Sequence, residues 1–326
     1  MSQDIIRLLQ HNVGFEQPER WADYARAHHF ESVRAIPVPR CPDCGGSPKA
    51  SRGQFVYYST LLRLLECPAC ELIWADARID AAVIRQHFET TYKDDTYFEE
   101  ERARIFAHLA GLIDELAPPG SRVLDIGGAK GHLMHRLSVR RGDLRLTVHD
   151  VSRAATEWAR ERWGFETICG DLDVLEEHSN RYDVIVLSDV LYYEPDLRRL
   201  WDLLGRLLAP NGSLVIRVPN KKGLILAAQR AFELCHPPKS RTTQSAVRFY
   251  NPEHLYILGR RYLVRRLRQL GFAQIRVLPS PLLSSSFGGS VYFRLTSVMN
   301  AMSGGKLVLT PGMVVIGKGR GFDDGR

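Results

Sequence analysis

The stretch that decides the fold of this chain runs Val123-Leu-Asp-Ile-Gly-Gly-Ala-Lys-Gly-His-Leu133. It predicts a buried strand that ends in an acid, then a glycine-rich turn, then a helix that begins near His132. Glycine permits a sharp turn and a close approach to a ligand because it has no Cβ. The acid Asp125 disfavours a phosphate ligand and favours a ligand that carries an amine. The dinucleotide-binding spacing G-x-G-x-x-G does not occur at 127–132, and a purely structural glycine turn is the other alternative.

Strand and helix signals alternate from this stretch onward, which is typical of a doubly wound parallel sheet. We predict strands at 122–126, 144–149, 183–188, 213–218, 274–279 and 312–317, with a short one near 166–169. The predicted fold class is therefore α/β, with a doubly wound, mostly parallel, seven-stranded Rossmann-like sheet. Such sheets bind ligands at the carboxyl ends of their strands.

Acids recur where later predicted strands end. Asp150 ends the second strand, and Asp171 follows the short third strand. A carboxylate at the end of the second strand can accept hydrogen bonds from both hydroxyls of a ribose. Two structural alternatives remain. Asp150 is a candidate helix N-cap, although Ser152 could supply that cap instead, and Asp171 is a candidate turn or capping residue.

These segments, with Tyr182–Pro195 and Leu207–Asn220, resemble in order the motifs of the class I S-adenosylmethionine-dependent methyltransferases, over about 120–320. The resemblance implies S-adenosyl-L-methionine as the methyl donor. It places Asp125 in the first motif, Asp150 on the ribose and Asp171 on the adenine amino group, while Ala129 replaces the usual middle glycine. The cofactor-binding residues implied in this way are Asp125, Gly127, Gly128, Gly131, Asp150, Asp171, Leu172 and Ser188.

The candidate catalytic residues are His254, Tyr193 and Tyr192, in that order. Methyl transfer mainly needs alignment of the reactants, and a general base helps when the acceptor is a hydroxyl or an activated carbon. Many relatives have a histidine where this chain has Tyr193. The segment around His254 resembles the small-molecule group, whose histidine faces the active site. The alternatives are a surface histidine and an aromatic pair that lines the sulfonium or acceptor pocket.

Four of the six cysteines have the spacing C-x2-C-x22-C-x2-C, at Cys41, Cys44, Cys67 and Cys70. This spacing predicts a zinc ribbon whose four thiolates surround one structural Zn²⁺ and leave no coordination position for water. Strands are expected at Phe55–Tyr58 and Leu61–Leu65. Two disulfides or a redox pair are the alternatives, and neither suits a chain that is not exported. Cys169 and Cys235 are predicted to be ordinary thiols.

Composition sets broad limits on the protein's surroundings. The 326 residues are 44% hydrophobic and 25% charged, with a net charge of +7 that favours an anionic partner without establishing one. The basic run Arg260–Arg268 is expected to form the solvated face of an amphipathic helix. No apolar run approaches the ~20 residues of a membrane span. Residues 1–30 lack a signal-peptide core, which predicts a cytoplasmic protein.

We expect a helical segment at 1–37, the ribbon at 38–78, a helical linker or lid at 79–118, and a methyltransferase domain at 119–320 whose insertion at 221–250 covers the substrate. The ribbon and a tyrosine-bearing segment resemble bacterial methyltransferases of sugar, cell-surface and secondary metabolism. A small-molecule acceptor is therefore expected. An RNA methyltransferase is the second hypothesis, although the ribbon interior carries only the basic residues Lys49, Arg52 and Arg63. A non-catalytic scaffold is the third.

Overall fold

The computed structural model of the protein describes residues 35–57, 60–79, 99–178, 181–220, 254–281 and 287–320. The predicted N-terminal helices, most of the linker, the insertion at 221–250 and Cys235 lie outside these residues. The strands are β1 (Ala35–Pro37), β2 (Lys49–Tyr57), β3 (Thr60–Glu66), β4 (Ile73–Ala75), β5 (Ala77–Ile79), β6 (Arg122–Ile126), β7 (Arg145–Asp150), β8 (Glu166–Cys169), β9 (Tyr182–Ser188), β10 (Leu208–Pro219), β11 (Tyr256–Ile257), β12 (Phe272–Ser280) and β13 (Gly312–Arg320).

Seven of these strands form one sheet in the order β12-β13-β10-β9-β6-β7-β8. Five strands run parallel, and β13 runs antiparallel to both of its neighbours, β10 and β12. The predicted fold class is therefore confirmed. Each of the seven predicted strands is present, including the short one at 166–169. The strand order reverses between β6 and β9, so the crevice expected to hold a ligand opens beside the carboxyl end of β6.

Helices cover the sheet: α1 (Glu99–Leu116), α2 (His132–Arg140), α3 (Arg153–Trp163), α4 (Leu197–Leu207), α5 (Arg260–Gln269) and α6 (Phe287–Met302). Alternate residues of β9 enter two different cores, Ile185 and Leu187 on one face and Val184 and Val186 on the other. A strand covered on both faces needs the continuous apolar run that the sequence shows. None of the helices in the described ranges is long and apolar enough to cross a bilayer.

A four-stranded sheet has the order β11-β4-β3-β2, and β1 pairs with β5 in a two-stranded sheet. The four clustered cysteines lie in the loops between β1 and β2 and between β3 and β4. The outer strand β11 of the four-stranded sheet comes from the far end of the chain and pairs antiparallel with β4. We call residues 35–57 and 60–79, which contain the four clustered cysteines, the cysteine-bearing part. Its Leu72 and Trp74 belong to the same apolar cluster as Trp201 of α4 and Tyr262 of α5. The cysteine-bearing part therefore shares a core with the large sheet.

The expectation that Arg260–Arg268 forms the solvated face of an amphipathic helix holds for Arg261 and Arg268, which are exposed, but not for Arg266. The side chain of Arg266 is 17% exposed and pairs with Asp43, whose own side chain is 2% exposed. Arg265 points to the second pair of cysteines, where it donates to the carbonyl of Cys70 at 3.1 Å. Helix α5 therefore directs two arginines at the cysteine-bearing part, where the carboxylate of Asp43 and the carbonyl of Cys70 accept their hydrogen bonds.

Candidate functional site

The glycine turn after β6 leaves no room for a side chain at Gly127 or Gly128. Gly127 has φ +69°, and a Cβ on it would lie 2.1 Å from Cγ2 of Val190, the second residue after β9. Ala129, which the resemblance aligns with a usual glycine, also has a positive φ, 49°, so this position is left-handed as well. Gly131, with φ 73°, precedes the first residue of α2. The turn thus packs its backbone directly against the residues that follow β9, which only glycine permits at Gly127.

Asp125 lies beneath this turn and is 2% exposed. Its Oδ1 is buried and has no hydrogen-bond partner within the described part of the chain. A Cβ on Gly128 would lie 2.9 Å from its Oδ2. Burial, together with the charge of Asp150, raises the pKa of Asp125 to about 8. A buried carboxyl oxygen without a donor is costly, so this position favours a ligand that brings a donor or a positive charge.

Asp150 ends β7 and holds the turn in place. Its Oδ2 accepts the N–H of Ala129 at 2.9 Å, and its Oδ1 accepts the N–H of Ser152 at 2.9 Å. Ser152 caps α3, since its hydroxyl accepts the N–H of Ala155 at 3.2 Å. The capping role left open for Asp150 is thus filled by Ser152. Each carboxylate oxygen can accept a further hydrogen bond, which leaves Asp150 able to accept from ribose hydroxyls.

The remaining predicted cofactor residues lie at the ends of β8 and β9. Asp171 is exposed, and Leu172 is 8% exposed at the start of a 3₁₀ helix, Leu172–His178. Ser188 ends β9, and its hydroxyl is buried with no partner among the described residues. These residues and the glycine turn all lie at the carboxyl edge of the parallel strands.

His149 is buried next to Asp150. It is 2% exposed, and its Nε2 lies 2.9 Å from the carbonyl oxygen of Gly170. Burial lowers its pKa to about 4, so the imidazole is neutral near pH 7. It packs inside the sheet.

The three predicted catalytic residues lie together. The ring of His254 is 3.9 Å from the ring of Tyr192 and 5.3 Å, nearly perpendicular, from the ring of Tyr193. The N–H of Leu255 donates to the carbonyl of Tyr192 at 2.9 Å. His254 is 7% exposed, so it is not a surface histidine. Burial and the nearby charge of Asp189 raise the pKa of Tyr192 well above its usual value, which keeps its phenol protonated.

A buried ion-pair network beneath this aromatic cluster has no clear signal in the sequence. Asp189 has φ 60°, an uncommon conformation for a residue with a side chain, and is 5% exposed. It pairs with Arg217 of β10 and, at 2.8 Å, with Arg102 of α1. Burial favours the neutral acid, but the two guanidiniums outweigh burial and hold the pKa of Asp189 below its usual value. The pairing joins residues 87 positions apart, which periodicity cannot reveal.

Glu194 is a second group that sequence reasoning missed. It is half-buried directly after the tyrosine pair, and its Oε1 accepts the N–H of Asp196 at 2.9 Å. Burial, with the charges of Asp196 and Asp171, raises its pKa to about 7. Its position before Pro195 is typical of a solvated turn residue, so nothing in the sequence indicated this burial. A carboxyl with this pKa can exchange a proton near neutral pH.

The four predicted metal ligands lie close together. The Sγ atoms of Cys41, Cys44, Cys67 and Cys70 are all within 4.8 Å of one another. Cys41 and Cys70 are 3.3 Å apart, and Cys44 and Cys67 are 3.4 Å apart. Four thiolates about 2.3 Å from one Zn²⁺ would be separated by about 3.8 Å, so the cluster needs only a small adjustment to surround an ion.

Two matching backbone loops carry these thiols. The N–H of Cys41 donates to the carbonyl of Gly46, and the N–H of Cys67 donates to the carbonyl of Leu72, each at 2.9 Å. The residue after each second cysteine is left-handed, with φ 73° at Gly45 and 60° at Glu71. The neighbouring Cys41 and burial raise the pKa of Cys70 far above its usual range. Thiols buried in this way deprotonate readily only with a cation between them, which fits a metal site.

The strand order and the glycine turn define a Rossmann-like α/β fold with a ligand crevice beside β6. Comparison with known proteins identifies the family. A model described as a methyltransferase domain matches residues 97–277, which is more than half of the chain. The chain therefore belongs to this methyltransferase family, as the resemblance of its motifs implied.

Two curated relatives and one solved structure illustrate the similarity. The chain is 24% identical over 139 residues to malonyl-[acyl-carrier protein] O-methyltransferase of Acetivibrio thermocellus, covering 42% of this chain and 49% of that protein. It is 26% identical over 146 residues to ubiquinone biosynthesis O-methyltransferase of Coxiella burnetii, covering 42% and 60%. The chain thus spans about half to three-fifths of these curated relatives. A SAM-dependent methyltransferase structure from Archaeoglobus fulgidus shares 18% identity, with a TM-score of 0.45 over 69% of this chain and 100% of that one.

Proposed function

We propose that this protein transfers a methyl group from S-adenosyl-L-methionine to a small biosynthetic acceptor, such as a sugar, a nucleotide-sugar or a secondary metabolite. The observation that carries the proposal is the buried oxygen of Asp125, which lacks a donor among the described residues beneath a turn that a single Cβ would fill. An amine donor is what such an oxygen needs. Family membership and the named activities of the relatives agree with this assignment.

In the proposed complex, Asp125 holds the amine of the donor and Asp150 accepts its ribose hydroxyls. Gly127, Gly128 and Gly131 allow the backbone to approach, while Asp171, Leu172 and Ser188 border the adenosine. When bound, S-adenosyl-L-methionine supplies the methyl group on a sulfonium, which is the electrophile. Ionisation of Asp125 costs free energy in the empty pocket because its pKa is raised to about 8. A cationic amine offsets that cost, which favours binding of the donor.

On the acceptor side, His254 is the proposed proton acceptor, and Tyr192 and Tyr193 shape the pocket. The two tyrosine rings contact His254, which limits how it can turn. Tyr192, with its raised pKa, serves as a hydrogen-bond donor rather than as a base. Glu194 is a second candidate for the proton, because its pKa of about 7 suits general acid–base work.

The four thiols are proposed to hold a structural Zn²⁺. A four-cysteine set leaves no open coordination position, so the ion takes no part in the reaction. We propose that residues 38–78 form a zinc ribbon and residues 119–320 the methyltransferase domain. Residues 221–250 are proposed to be an insertion that covers the substrate. We also propose that the acceptor carries negative charge, because the net charge of the chain is +7.

The alternative, an RNA methyltransferase, requires basic side chains that are available to phosphates. Arg265 and Arg266 of α5 instead engage Cys70 and Asp43 inside the fold. This engagement weakens the case for a phosphate grip. A salt titration separates the hypotheses, because several phosphate contacts make the logarithm of RNA affinity fall steeply with the logarithm of salt concentration.

Calorimetric titration with S-adenosylhomocysteine tests the cofactor site. The wild-type chain should bind, and Asp125→Ala and Asp150→Ala should each lose about 100-fold or more in affinity, as expected when a buried charge-assisted hydrogen bond is removed. Asp202→Ala, at an exposed position of α4, is the matched control and should bind normally. Wild-type affinity in both Asp125→Ala and Asp150→Ala would refute the site assignment. No binding by the wild-type chain would favour the scaffold hypothesis.

A further inference from the structure

Helix α5 contacts the cysteine-bearing loops through the arginine cluster, which we define as Arg261, Arg265 and Arg266. Arg265 donates to the carbonyl of Ala69 at 2.7 Å and to that of Cys70 at 3.1 Å. Arg261 lies 3.3 Å from the carboxylate of Glu71. The loop that contains the second pair of cysteines is thus held through its backbone carbonyls, which no change of its side chains would remove.

The loop that contains the first pair of cysteines is held by charge. Arg266 pairs with the carboxylate of Asp43, a residue that is 3% exposed. Arg198 of α4 donates to the carbonyl of Asp43 at 3.2 Å. A buried carboxylate that loses its partner is strongly unfavourable, so this loop and α5 stay together.

Strand β4 continues the connection from the cysteines toward the aromatic cluster. Trp74 of β4 pairs with Tyr256 of β11. Strand β11 begins two residues after His254, and the intervening Leu255 donates its N–H to the carbonyl of Tyr192 at 2.9 Å. The backbone that follows His254 is therefore fixed by the pairing of β11 with β4 and by the hydrogen bond from Leu255 to Tyr192.

A second connection meets the same segment at Pro195. Its carbonyl accepts two hydrogen bonds of 2.9 Å, one from the guanidinium of Arg78 in β5 and one from the hydroxyl of Tyr256 in β11. Strand β5 belongs to the two-stranded sheet with β1, and β11 belongs to the four-stranded sheet. The segment from Tyr192 to Pro195, which includes Glu194, is thus held at one end by Leu255 and at the other by Tyr256 and by Arg78 of the cysteine-bearing part.

We infer that the cysteine-bearing part positions the reacting groups of the acceptor pocket. Its docking through the arginine cluster fixes β11, and β11 fixes His254 against Tyr192. This inference rests on the proposed function only for the consequence that misplacing His254 slows methyl transfer. The mechanical link itself depends on the contacts described above. The cofactor cradle around Asp125 lies outside this chain of contacts and should not respond.

Backbone hydrogen exchange on the full-length chain tests this link. In Arg265→Ala, the amides of 67–72 and of 255–257 should exchange about tenfold faster or more, because local opening of both becomes easier. Amides of β6 and β7 and the affinity for S-adenosylhomocysteine should not change. The control is Arg268→Ala, which removes an exposed arginine from the same helix that has no contact with the cysteine loops among the described residues. The ring protons of His254, shifted by Tyr192, give a direct reading of its position by NMR.

Each outcome decides the matter. Faster exchange at 67–72 with wild-type exchange at 255–257 would overturn the inference, as would wild-type exchange at both. If Arg265→Ala does not fold, Arg265→Gln and metal chelation from the wild-type chain provide the same comparison. If the wild-type chain does not bind S-adenosylhomocysteine, that result counts against the proposed function alone, because the hydrogen-exchange comparison needs no ligand.

Discussion

Replacing Asp125 with asparagine should stabilise the ligand-free protein at high pH while removing its affinity for the cofactor. The Asp125 carboxyl is 2% exposed, and burial with the charge of Asp150 raises its pKa to about 8. In the unfolded chain the same group titrates near ~3.9. Asparagine has nearly the same shape and cannot ionise, so it avoids the cost of burying a negative charge.

The sign and size of the effect follow from the two pKa values. Between about pH 4 and pH 8 the folded chain retains a proton that the unfolded chain has released, so the free energy of unfolding falls as pH rises. A separation of about four pH units corresponds to roughly 6 kcal/mol near pH 8 as an upper limit, and to almost nothing near pH 4. The advantage of Asp125→Asn over the wild type should therefore grow with pH, reaching about 2 to 6 kcal/mol.

Urea denaturation followed by tryptophan fluorescence, at about pH 5, 6.5 and 8, measures this advantage. Asp202→Asn, at an exposed position, is the matched control and should show no pH-dependent difference. An advantage that does not change with pH, or an Asp125→Asn protein that is less stable than the wild type at pH 8, would refute the reasoning. Calorimetry should show that Asp125→Asn no longer binds S-adenosylhomocysteine.

Three further predictions address other parts of the molecule. Gly127→Ala should lower the free energy of unfolding by about 2 to 5 kcal/mol, because its Cβ would lie 2.1 Å from Val190 and its φ is +69°. Adding Val190→Ala should restore part of that stability, and strictly additive losses in urea denaturation would contradict a clash between the two side chains. Cys67→Ser should lose bound zinc and lower the melting temperature, unlike Cys169→Ser; unchanged metal content by mass spectrometry would sink the four-thiolate site. Glu194→Gln tests the second candidate base: if Glu194 rather than His254 takes the proton, a rise in methyl transfer through about pH 7 should disappear in this variant, and an unchanged pH profile would exclude that carboxyl as the base.

Much of the fold was predictable from local patterns. The strands of the large sheet carry apolar runs, because both of their faces are covered. The glycine turn is readable because its residues must adopt conformations that few others tolerate. The positions of Asp125 and Asp150 near the ends of their strands and the clustering of the four cysteines were also predictable, since they depend on short sequence patterns.

What the sequence could not reveal depends on contacts between distant segments. The two-residue strand β11 is too short to show a period, and it becomes a strand only because β4 is beside it. The burial of Glu194 and the pairing of Asp189 with Arg217 depend on how separate elements pack. The arginines of α5 have helical spacing that is equally typical of a solvated face, so only the positions of Asp43 and of the carbonyls of Ala69 and Cys70 decide their role.

Transfer of labelled methyl from S-adenosyl-L-methionine into a fractionated extract of the source cells tests the central claim most directly. The wild-type chain should place label in low-mass material that resists nuclease, and Asp150→Ala should place none there. Label in nuclease-sensitive material would contradict a small acceptor and support the RNA hypothesis. No label in any fraction, from a chain shown to bind S-adenosylhomocysteine, would contradict the proposed transferase activity on cellular acceptors.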